Sequence, residues 1–149
     1  MPNRGKPAEC CCRRSWQHFD HGADVGIRGH GATLEAAFEE AARALIAVVV
    51  DPDTVTPTVA VTIACTAPDH EILLIDWLNA VIYEMAARDM VFGTFDVHIK
   101  GNQLTGTARG ERVDPDRHQL GVEVKGATFM ELKVVREADG WIAQCVVDV

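Results

Sequence analysis

The stretch HFDHGADVGIRGHG, residues 18–31, is the part of the chain around which we predict the rest to be organised. It holds two aspartates, three histidines and four glycines within fourteen residues: Asp20, Asp24, His18, His21, His30, Gly22, Gly26, Gly29 and Gly31. Carboxylates and imidazoles bind metal ions or transfer protons, and glycine lets a backbone turn sharply or approach a ligand closely. Two interpretations are therefore open: a ligand site, or a glycine-rich turn that enters a strand.

Helical periodicity follows this stretch in two places. The first helix is predicted to begin after Thr33, a suitable N-cap, and to end before the sequence Asp51-Pro52-Asp53. Its predicted solvent-facing residues are Glu35, Glu39 and Arg43. The second helix is predicted from the cap Asp69 to about Arg88, and its wide apolar surface indicates cover on more than one side.

Alternating apolar and polar residues predict strands before, between and after these helices. The strands cover residues 23–30, 57–66, 91–100, 104–109, 122–135 and 141–147, with turns at Gly101-Asn102 and Asp139-Gly140 and a polar loop over 110–119. We therefore predict an α+β fold, a single domain over residues 16–149 with two amphipathic helices packed on a largely antiparallel sheet. Residues 1–15 are predicted to form a flexible basic tail.

Composition and charge narrow the classes of function. At 149 residues, with 48% hydrophobic and 24% charged residues, the chain has the size and composition of one ordinary globular domain. The formal charge is −8, but residues 1–14 carry four basic residues and one acidic residue, so the remainder carries −11. An acidic body argues against direct binding to nucleic-acid phosphates, and it fits divalent cations or a basic protein partner better.

The cysteines and the apolar runs indicate where in the cell the protein is located. Five cysteines, at positions 10, 11, 12, 65 and 145, form no CxxC pair and no disulfide framework. A zinc site is therefore not expected, and a reducing cytoplasm is the simplest location. Cys65 and Cys145 are interpreted as small buried hydrophobic residues. We expect neither a signal peptide nor a membrane span, because the first fifteen residues are polar and the longest apolar run, 41–50, is too short.

Carboxylates are the side chains that the sequence offers for a functional site, because the motifs of several other chemistries are absent. The sequence holds no GxGxxG, GxxxxGK[ST], GxSxG or HExxH motif, and its one serine, Ser15, lies in the tail. Outside the opening stretch, the loop 110–118 concentrates acidic residues and histidine, namely Glu111, Asp114, Asp116 and His118. Asp148 stands out as an aspartate within an apolar terminal strand. Such oxygen donors suit a hard cation such as calcium or magnesium.

Several segments, taken together, resemble the archease family. The segment DHGADVGIRGHGATLEAAFEEAA, residues 20–42, is similar to the opening of archease proteins. The likeness continues through EILLIDWLNAVIYE (71–84), RGERVDPDRH (109–118), VKGATFMELKV (124–134) and WIAQCVVDV (141–149). These motifs arrive in the order of the family and span residues 16–149.

The resemblance implies a small cytosolic protein cofactor of the RNA-splicing ligase that joins tRNA halves with GTP. Members of the family are understood to promote guanylylation of that ligase and its multiple turnover, so they act as activators rather than as enzymes. The resemblance also implies a divalent metal, calcium first, with magnesium or manganese as alternatives. Its ligands would be Asp24, Asp148 and an oxygen of Val149, and GTP and RNA would be met only through the ligase.

Two residues depart from the family pattern. Gly22 stands where the family usually has threonine, and Met130 stands where many members have histidine. The departures concern hydrogen bonding near the proposed aspartates rather than the aspartates themselves. The sequence leaves open the roles of several further residues: Asp20, His21, Asp114, His118, Lys125 and the run Cys10–Cys12.

Two other functions are compatible with the sequence. One is a metal-dependent phosphohydrolase that uses Asp24 and Asp148, with His118 as a base. The other is a chaperone-like modulator of nucleic-acid-modifying enzymes. His21 and His118 are each more often hydrogen-bonded structural histidines than metal ligands.

Overall fold

The strands of this protein divide between two antiparallel sheets, seen in a computed structural model that describes residues 14–149. The larger sheet contains β1 (Ser15–His21), β2 (Asp24–Gly31), β6 (Gly126–Ala127), β7 (Lys133–Glu137) and β8 (Gly140–Asp148). Its order is β1-β2-β8, and both β6 and β7 pair with β8. The smaller sheet contains β3 (Val59–Thr66), β4 (Met90–Lys100) and β5 (Gln103–Arg112), in the order β3-β5-β4. The predicted α+β class is confirmed, although one sheet was expected.

Helix α1 (Leu34–Val49) connects the two sheets through packing. It contacts β2 and β8 of the larger sheet and β4 of the smaller one. The predicted N-cap is confirmed, because the Thr33 hydroxyl accepts a hydrogen bond from the Ala36 amide at 3.1 Å. The predicted stop is also confirmed, since a 3₁₀ turn (Pro52–Thr54) follows the helix directly. Eleven of the sixteen residues of α1 are buried, so α1 is the central element of the core.

The contact between β2 and α1 is so close that only glycine fits at position 29. A Cβ atom on Gly29 would lie 2.3 Å from the Ala41 amide nitrogen and 2.4 Å from the Ala37 carbonyl oxygen. Both atoms belong to the helix backbone, which cannot move aside as a flexible side chain can. Gly29 therefore approaches the protein's own helix, not a ligand, and this part of the opening stretch has a structural explanation.

The expectation that Glu39 faces solvent is wrong. Glu39 is only 7% exposed, because the smaller sheet covers this side of α1. Its carboxylate accepts a hydrogen bond from the Val97 amide of β4 at 2.8 Å and another from Arg14 at 2.8 Å. Arg14 also bonds to Glu40, which is 4% exposed. Buried carboxylates are tolerated when they are paired in this way.

Helix α2 (His70–Arg88) lies against strands of both sheets, as its broad apolar surface predicted. Asp69 caps it by accepting from the Ile72 amide at 2.8 Å. Trp77 is fully buried and its indole N–H donates to the Phe38 carbonyl of α1 at 3.1 Å, which joins the two helices. Within residues 14–149, neither α1 nor α2 combines the length and apolar character that a membrane crossing requires.

Three strand predictions need correction. Strand β1 was not predicted, because it is an edge strand whose side chains are largely exposed and alternate weakly. The predicted strand 122–135 is wrong over residues 122–125, which form no strand. A turn over residues 128–131, where Glu131 has a φ of +55°, separates its remaining parts, β6 and β7. The last hairpin turns at Ala138-Asp139, one residue earlier than predicted. Residues 1–13, most of the predicted tail, lie outside the described residues, whereas Ser15 begins β1.

The substitution Gly29→Ala is expected to lower the free energy of unfolding by about 1–3 kcal/mol, because its methyl group must separate β2 from α1. Urea denaturation followed by circular dichroism measures the change. Gly126→Ala is the matched control, since its Cβ would meet only Asn79 Oδ1 at 3.7 Å, an ordinary contact. The control should change stability by at most about 1 kcal/mol. Equal effects of the two substitutions would contradict the packing argument.

Candidate functional site

The pairing of β2 with β8 brings the two candidate aspartates to one end of the larger sheet. Val25 pairs with Val147, so the same register places Asp24 opposite Asp148, with both side chains on one face. The Val149 amide donates to Asp24 Oδ1 at 3.4 Å. Residues separated by more than 120 positions in sequence therefore meet here, as the site prediction requires.

These carboxylates have no cationic partner among the described residues. Within residues 14–149, no arginine, lysine or histidine nitrogen forms an ion pair, at an N···O distance of 4.0 Å or less, with either carboxylate. Asp148 is exposed and Asp24 is partly exposed, so both remain hydrated. Two like charges that face each other across a sheet repel, and a bound cation would relieve that repulsion.

The donor set has the chemistry of a calcium or magnesium site but is small. Between residues 14 and 149, no three side chains of His, Cys, Asp or Glu are grouped so that they could hold a metal ion. Asp24 and Asp148 supply oxygen ligands, and a main-chain oxygen of Val149 is the third donor at hand. Hard cations accept such ligands together with water, so the residues present fit a cation whose coordination is completed from outside the chain.

The β1–β2 hairpin places the other residues of the opening stretch around Asp24. His21 pairs with Asp24 and lies on the same face, whereas Asp20 pairs with Val25 and lies on the opposite face.

A Cβ atom on Gly22, in the turn, would meet no other atom within 4 Å, but the φ of this residue is +63°. Glycine is therefore favoured by the backbone conformation and not by lack of space. Threonine, the usual family residue, would be strained in this conformation.

A shallow depression lies beside this hairpin. It is lined by His18, Phe19, Asp20, Asp24 and Val25 and has a volume of about 410 Å³. His18 is held by a 2.8 Å hydrogen bond between its Nε2 and the Ala44 carbonyl of α1, and His30 Nε2 lies 3.1 Å from Gln17 Oε1. These two histidines are thus engaged in structural contacts.

The predicted loop over 110–119 begins only after Arg112, where β5 ends, and its residues form a structural cluster with Glu111 of β5. His118 has a fully buried side chain, its Nδ1 accepts from the Asp114 amide at 2.9 Å, and its Nε2 lies 3.0 Å from Glu111 Oε2. Because Nδ1 is an acceptor, Nε2 carries the proton and donates to Glu111. Both ring nitrogens are occupied, so the expectation that His118 acts as a base does not fit its position.

Glu111 is the centre of that cluster. Its carboxylate accepts from Arg117 at 2.9 Å and from the Thr56 amide at 2.8 Å. These hydrogen bonds, with that of Arg117 foremost, lower the pKa of Glu111 to about 2. The loop is therefore fastened to the segment before β3 by a carboxylate that stays ionised.

The described cysteines do not supply a nucleophile. Burial raises the pKa of Cys145 to about 12, so its thiol stays protonated at neutral pH. Burial also raises the pKa of Cys65, as does the nearby Asp76. The interpretation of Cys145 as a buried hydrophobic residue is confirmed, while Cys65 is only partly buried. Cys10–Cys12 lie outside the described residues.

A polar chain across the outer face of the larger sheet was missed by the sequence analysis. Arg28 Nε donates to Gln144 Oε1 at 2.7 Å, and Gln144 Nε2 donates to the Glu131 carbonyl at 3.0 Å. The Arg28 guanidinium also lies 4.7 Å from the centroid of the Phe19 ring. The available signal was Gln144, a polar residue in an apolar strand. The chain of contacts fixes the turn over 128–131 to the sheet.

Comparisons with known proteins agree on one family. The sequence profile described as the archease protein family matches residues 16–149. The archease of Pyrococcus furiosus is 40% identical, over 91% of this chain and 99% of its own length. A solution structure of a Methanobacterium thermoautotrophicum protein superposes with a TM-score of 0.76 at 29% identity, over 91% of this chain and 99% of that one. An archease crystal structure from Thermotoga maritima, described as a possible chaperone, has a TM-score of 0.61 at 24% identity and covers 88% and 94% of the two chains.

The depressed pKa of Glu111 predicts a pH-dependent contribution to stability. The group stabilises the fold fully above pH 4.5, its ordinary pKa, and loses this contribution as the pH falls towards about 2. Glu111→Gln should therefore be less stable than the wild type at pH 7, and the difference should shrink between pH 4.5 and pH 2. Urea denaturation at several pH values measures it, with the exposed Glu123→Gln as control. A difference independent of pH would contradict the assignment.

Proposed function

The chain belongs to the archease family, and on that premise we propose that it is a protein cofactor of an RNA-splicing ligase in the cytoplasm. It promotes the GTP-dependent guanylylation of the ligase and allows multiple turnover, without catalysing a reaction of its own. The protein does not bind RNA or GTP by itself, and it encounters them only when they are bound to the ligase. The observation that supports the proposal best is the meeting of Asp24 with the end of β8.

We further propose that Asp24, Asp148 and a main-chain oxygen of Val149 hold a divalent cation, calcium or, alternatively, magnesium or manganese. A cation bound there would supply positive charge that stabilises the phosphates of GTP during nucleotidyl transfer. Asp24 and Asp148 would orient it on the exposed face at the end of the sheet. The small donor set supports a site that presents its cation to a partner, because some coordination positions stay open to groups outside the chain.

The phosphohydrolase alternative has less support. A hydrolase needs a base that can reach a water molecule, and His118 is buried with both nitrogens hydrogen-bonded. Ser15, the one serine of the sequence, begins the edge strand β1, and Cys145 is a buried thiol with a raised pKa. The residue that was predicted to act as the base, together with Ser15 and Cys145, is therefore poorly placed for the chemistry of a hydrolase.

A chaperone-like role is the second candidate. Its support is the description of the Thermotoga maritima archease as a possible chaperone, together with the large apolar side chains that this chain exposes. A general chaperone would suppress aggregation of unrelated proteins. A ligase cofactor would act only on its ligase, so a standard aggregation assay with an unrelated client separates the two functions.

The substitutions Asp24→Asn and Asp148→Asn should each weaken calcium binding at least about tenfold, because each removes a charged ligand. Isothermal titration calorimetry with calcium measures the affinity. The same variants should lower the maximal guanylylation of purified RNA-splicing ligase, followed with labelled GTP.

Asp20→Asn is the matched control, since Asp20 borders the same depression as Asp24 but its side chain lies on the opposite face of the sheet. It should leave calcium binding and guanylylation near the wild-type level. The proposal fails if the wild-type protein does not stimulate the ligase. The assignment of the metal ligands fails if Asp20→Asn is as damaging as Asp24→Asn.

A further inference from the structure

We infer that β3, an edge strand of the smaller sheet, pairs in antiparallel fashion with β3 of a second copy of this chain. Among residues 14–149 the strand (Val59–Thr66) is paired with β5 on one side and with no strand on the other. Pairing across a two-fold axis joins two three-stranded sheets into one sheet of six strands. The inference does not rest on the proposed function, because β3 contributes no residue to the candidate metal site.

The backbone pattern identifies the groups of β3 that are free to pair. The Ala67 amide donates to the Asn102 carbonyl at 3.2 Å, in the same register that pairs Thr66 with Gln103. Hydrogen-bonded positions alternate along an antiparallel strand, so Cys65 and every second residue before it are also bonded to β5. The residues whose N–H and C=O groups point away from β5 are Ala60, Thr62, Ala64 and Thr66. Within residues 14–149 these eight groups form no hydrogen bond.

The sequence of β3 lacks the features that keep an edge strand from pairing. Residues 54–68 contain no charged residue, and no proline lies between Pro57 and Pro68. The register with β5 is unbroken from Val59 to Thr66, so no bulge bends the strand. Charged side chains, prolines and bulges are the usual protection of an edge, and an exposed edge without them is a template for a further strand.

Two other edge strands, β4 and β1, are better protected. At the outer edge of β4 the Val97 amide donates to the Glu39 carboxylate at 2.8 Å, and the register with β5 shifts at Gly93. A Cβ atom on Gly93 would lie 2.7 Å from the Pro52 carbonyl oxygen, so the 3₁₀ turn covers this part of the edge. Strand β1 carries the charged Asp20. Because β4 is closed in this way, an assembly through β3 stops at two copies and does not continue into a filament.

A second copy of β3 matches this edge in hydrogen bonding and in size. With the two-fold axis at Ile63, Ala60 lies opposite Thr66 of the second copy, and Thr62 lies opposite Ala64 of the second copy. In this register all eight free groups of each copy are hydrogen-bonded. Each threonine also faces an alanine across the junction, so the side chains on the exposed face fit without collision.

Charge and exposed apolar surface favour the same contact. The chain carries −8, so two copies repel each other, but residues 54–68 bring no charge to the junction. Val59 is 47% exposed, whereas Val61 and Ile63 on the same face of β3 are only 3% and 5% exposed. In the two-fold register Ala67 of the second copy lies opposite Val59, and covering this side chain removes apolar surface from water.

Sedimentation velocity of the purified full-length protein over a range of concentrations tests for the dimer. The mass should rise reversibly from that of one chain towards twice that value. Amide hydrogen exchange followed by NMR then locates the contact. The four amides of β3 that point away from β5 should exchange at least about tenfold more slowly as the concentration rises, whereas those bonded to β5 should not change.

Two substitutions at one position test the edge itself. Ala64→Pro removes a free amide without removing a hydrogen bond to β5, and it should raise the Kd of the dimer at least about tenfold. Ala64→Lys should have the same effect, because it places a lysine of each copy at the junction. Thr94→Lys is the matched control, since Thr94 is exposed on the protected strand β4, and it should dimerise as the wild type does. Circular dichroism should show that all three variants are folded.

Three results would overturn the inference. The first is a wild type that stays monomeric with the four amides exposed at every concentration, which is expected if the edge is left for a strand of another protein. The second is equal protection of these amides at every concentration, because a segment of the same chain would then occupy the edge. The third is a dimer that persists unchanged in both Ala64 variants, which would place the contact elsewhere. None of these measurements involves the ligase, so failure of the proposed cofactor function would leave their outcome unchanged.

Discussion

The backbone contact between β2 and α1 is the constraint on which the rest of the structure depends. With no side chain at Gly29, the strand lies directly on the helix backbone at Ala37 and Ala41. This contact fixes the plane of the larger sheet relative to the helix that also packs on the smaller sheet. It thereby fixes where β2 begins, and so where Asp24 emerges at the end of the sheet. Gly29 thus helps to position the site through its contact with α1, five residues away from Asp24.

Two groups of acidic residues differ in the contacts that their carboxylates make. Glu39 and Glu111 are drawn into hydrogen bonds with backbone amides and arginines, where they join one element to another. Asp24 and Asp148 face each other at the exposed end of the sheet and have no such cationic partner within residues 14–149. Acidic residues of the first kind stabilise the fold. Other carboxylates, such as Asp20 and Asp96, also form no ion pair within residues 14–149. Asp24 and Asp148 are distinguished as a candidate for binding because the pairing of β2 with β8 places these two uncompensated charges opposite each other.

Much of this could be predicted from sequence, because the signals were local. Thr33 and Asp69 indicated the starts of their helices through capping, and the hairpin at Gly101-Asn102 followed from its flanking alternation. What could not be predicted depended on contacts distant in sequence. Glu39 looks like a solvent-facing helix residue until a second sheet covers it, and β1 has no strong pattern because it is an edge. The meeting of Asp24 with Asp148 was expected from the family resemblance, and no periodicity in the sequence encodes it.

The central position of β8 has a consequence for how the protein is made. The strand pairs with β2, β6 and β7, so it holds together most of the larger sheet, although it is synthesised after every strand that it pairs with. Pairings between residues as far apart in sequence as those of β2 and β8 form slowly. Until the ribosome has translated β8, the β1–β2 hairpin and one side of α1 lack their permanent neighbour, and their apolar surface is open to aggregation. The larger sheet can therefore be completed only after residue 148 has been translated. In a chain cut short before that point the core is incomplete, and Asp24 has no residue of β8 opposite it.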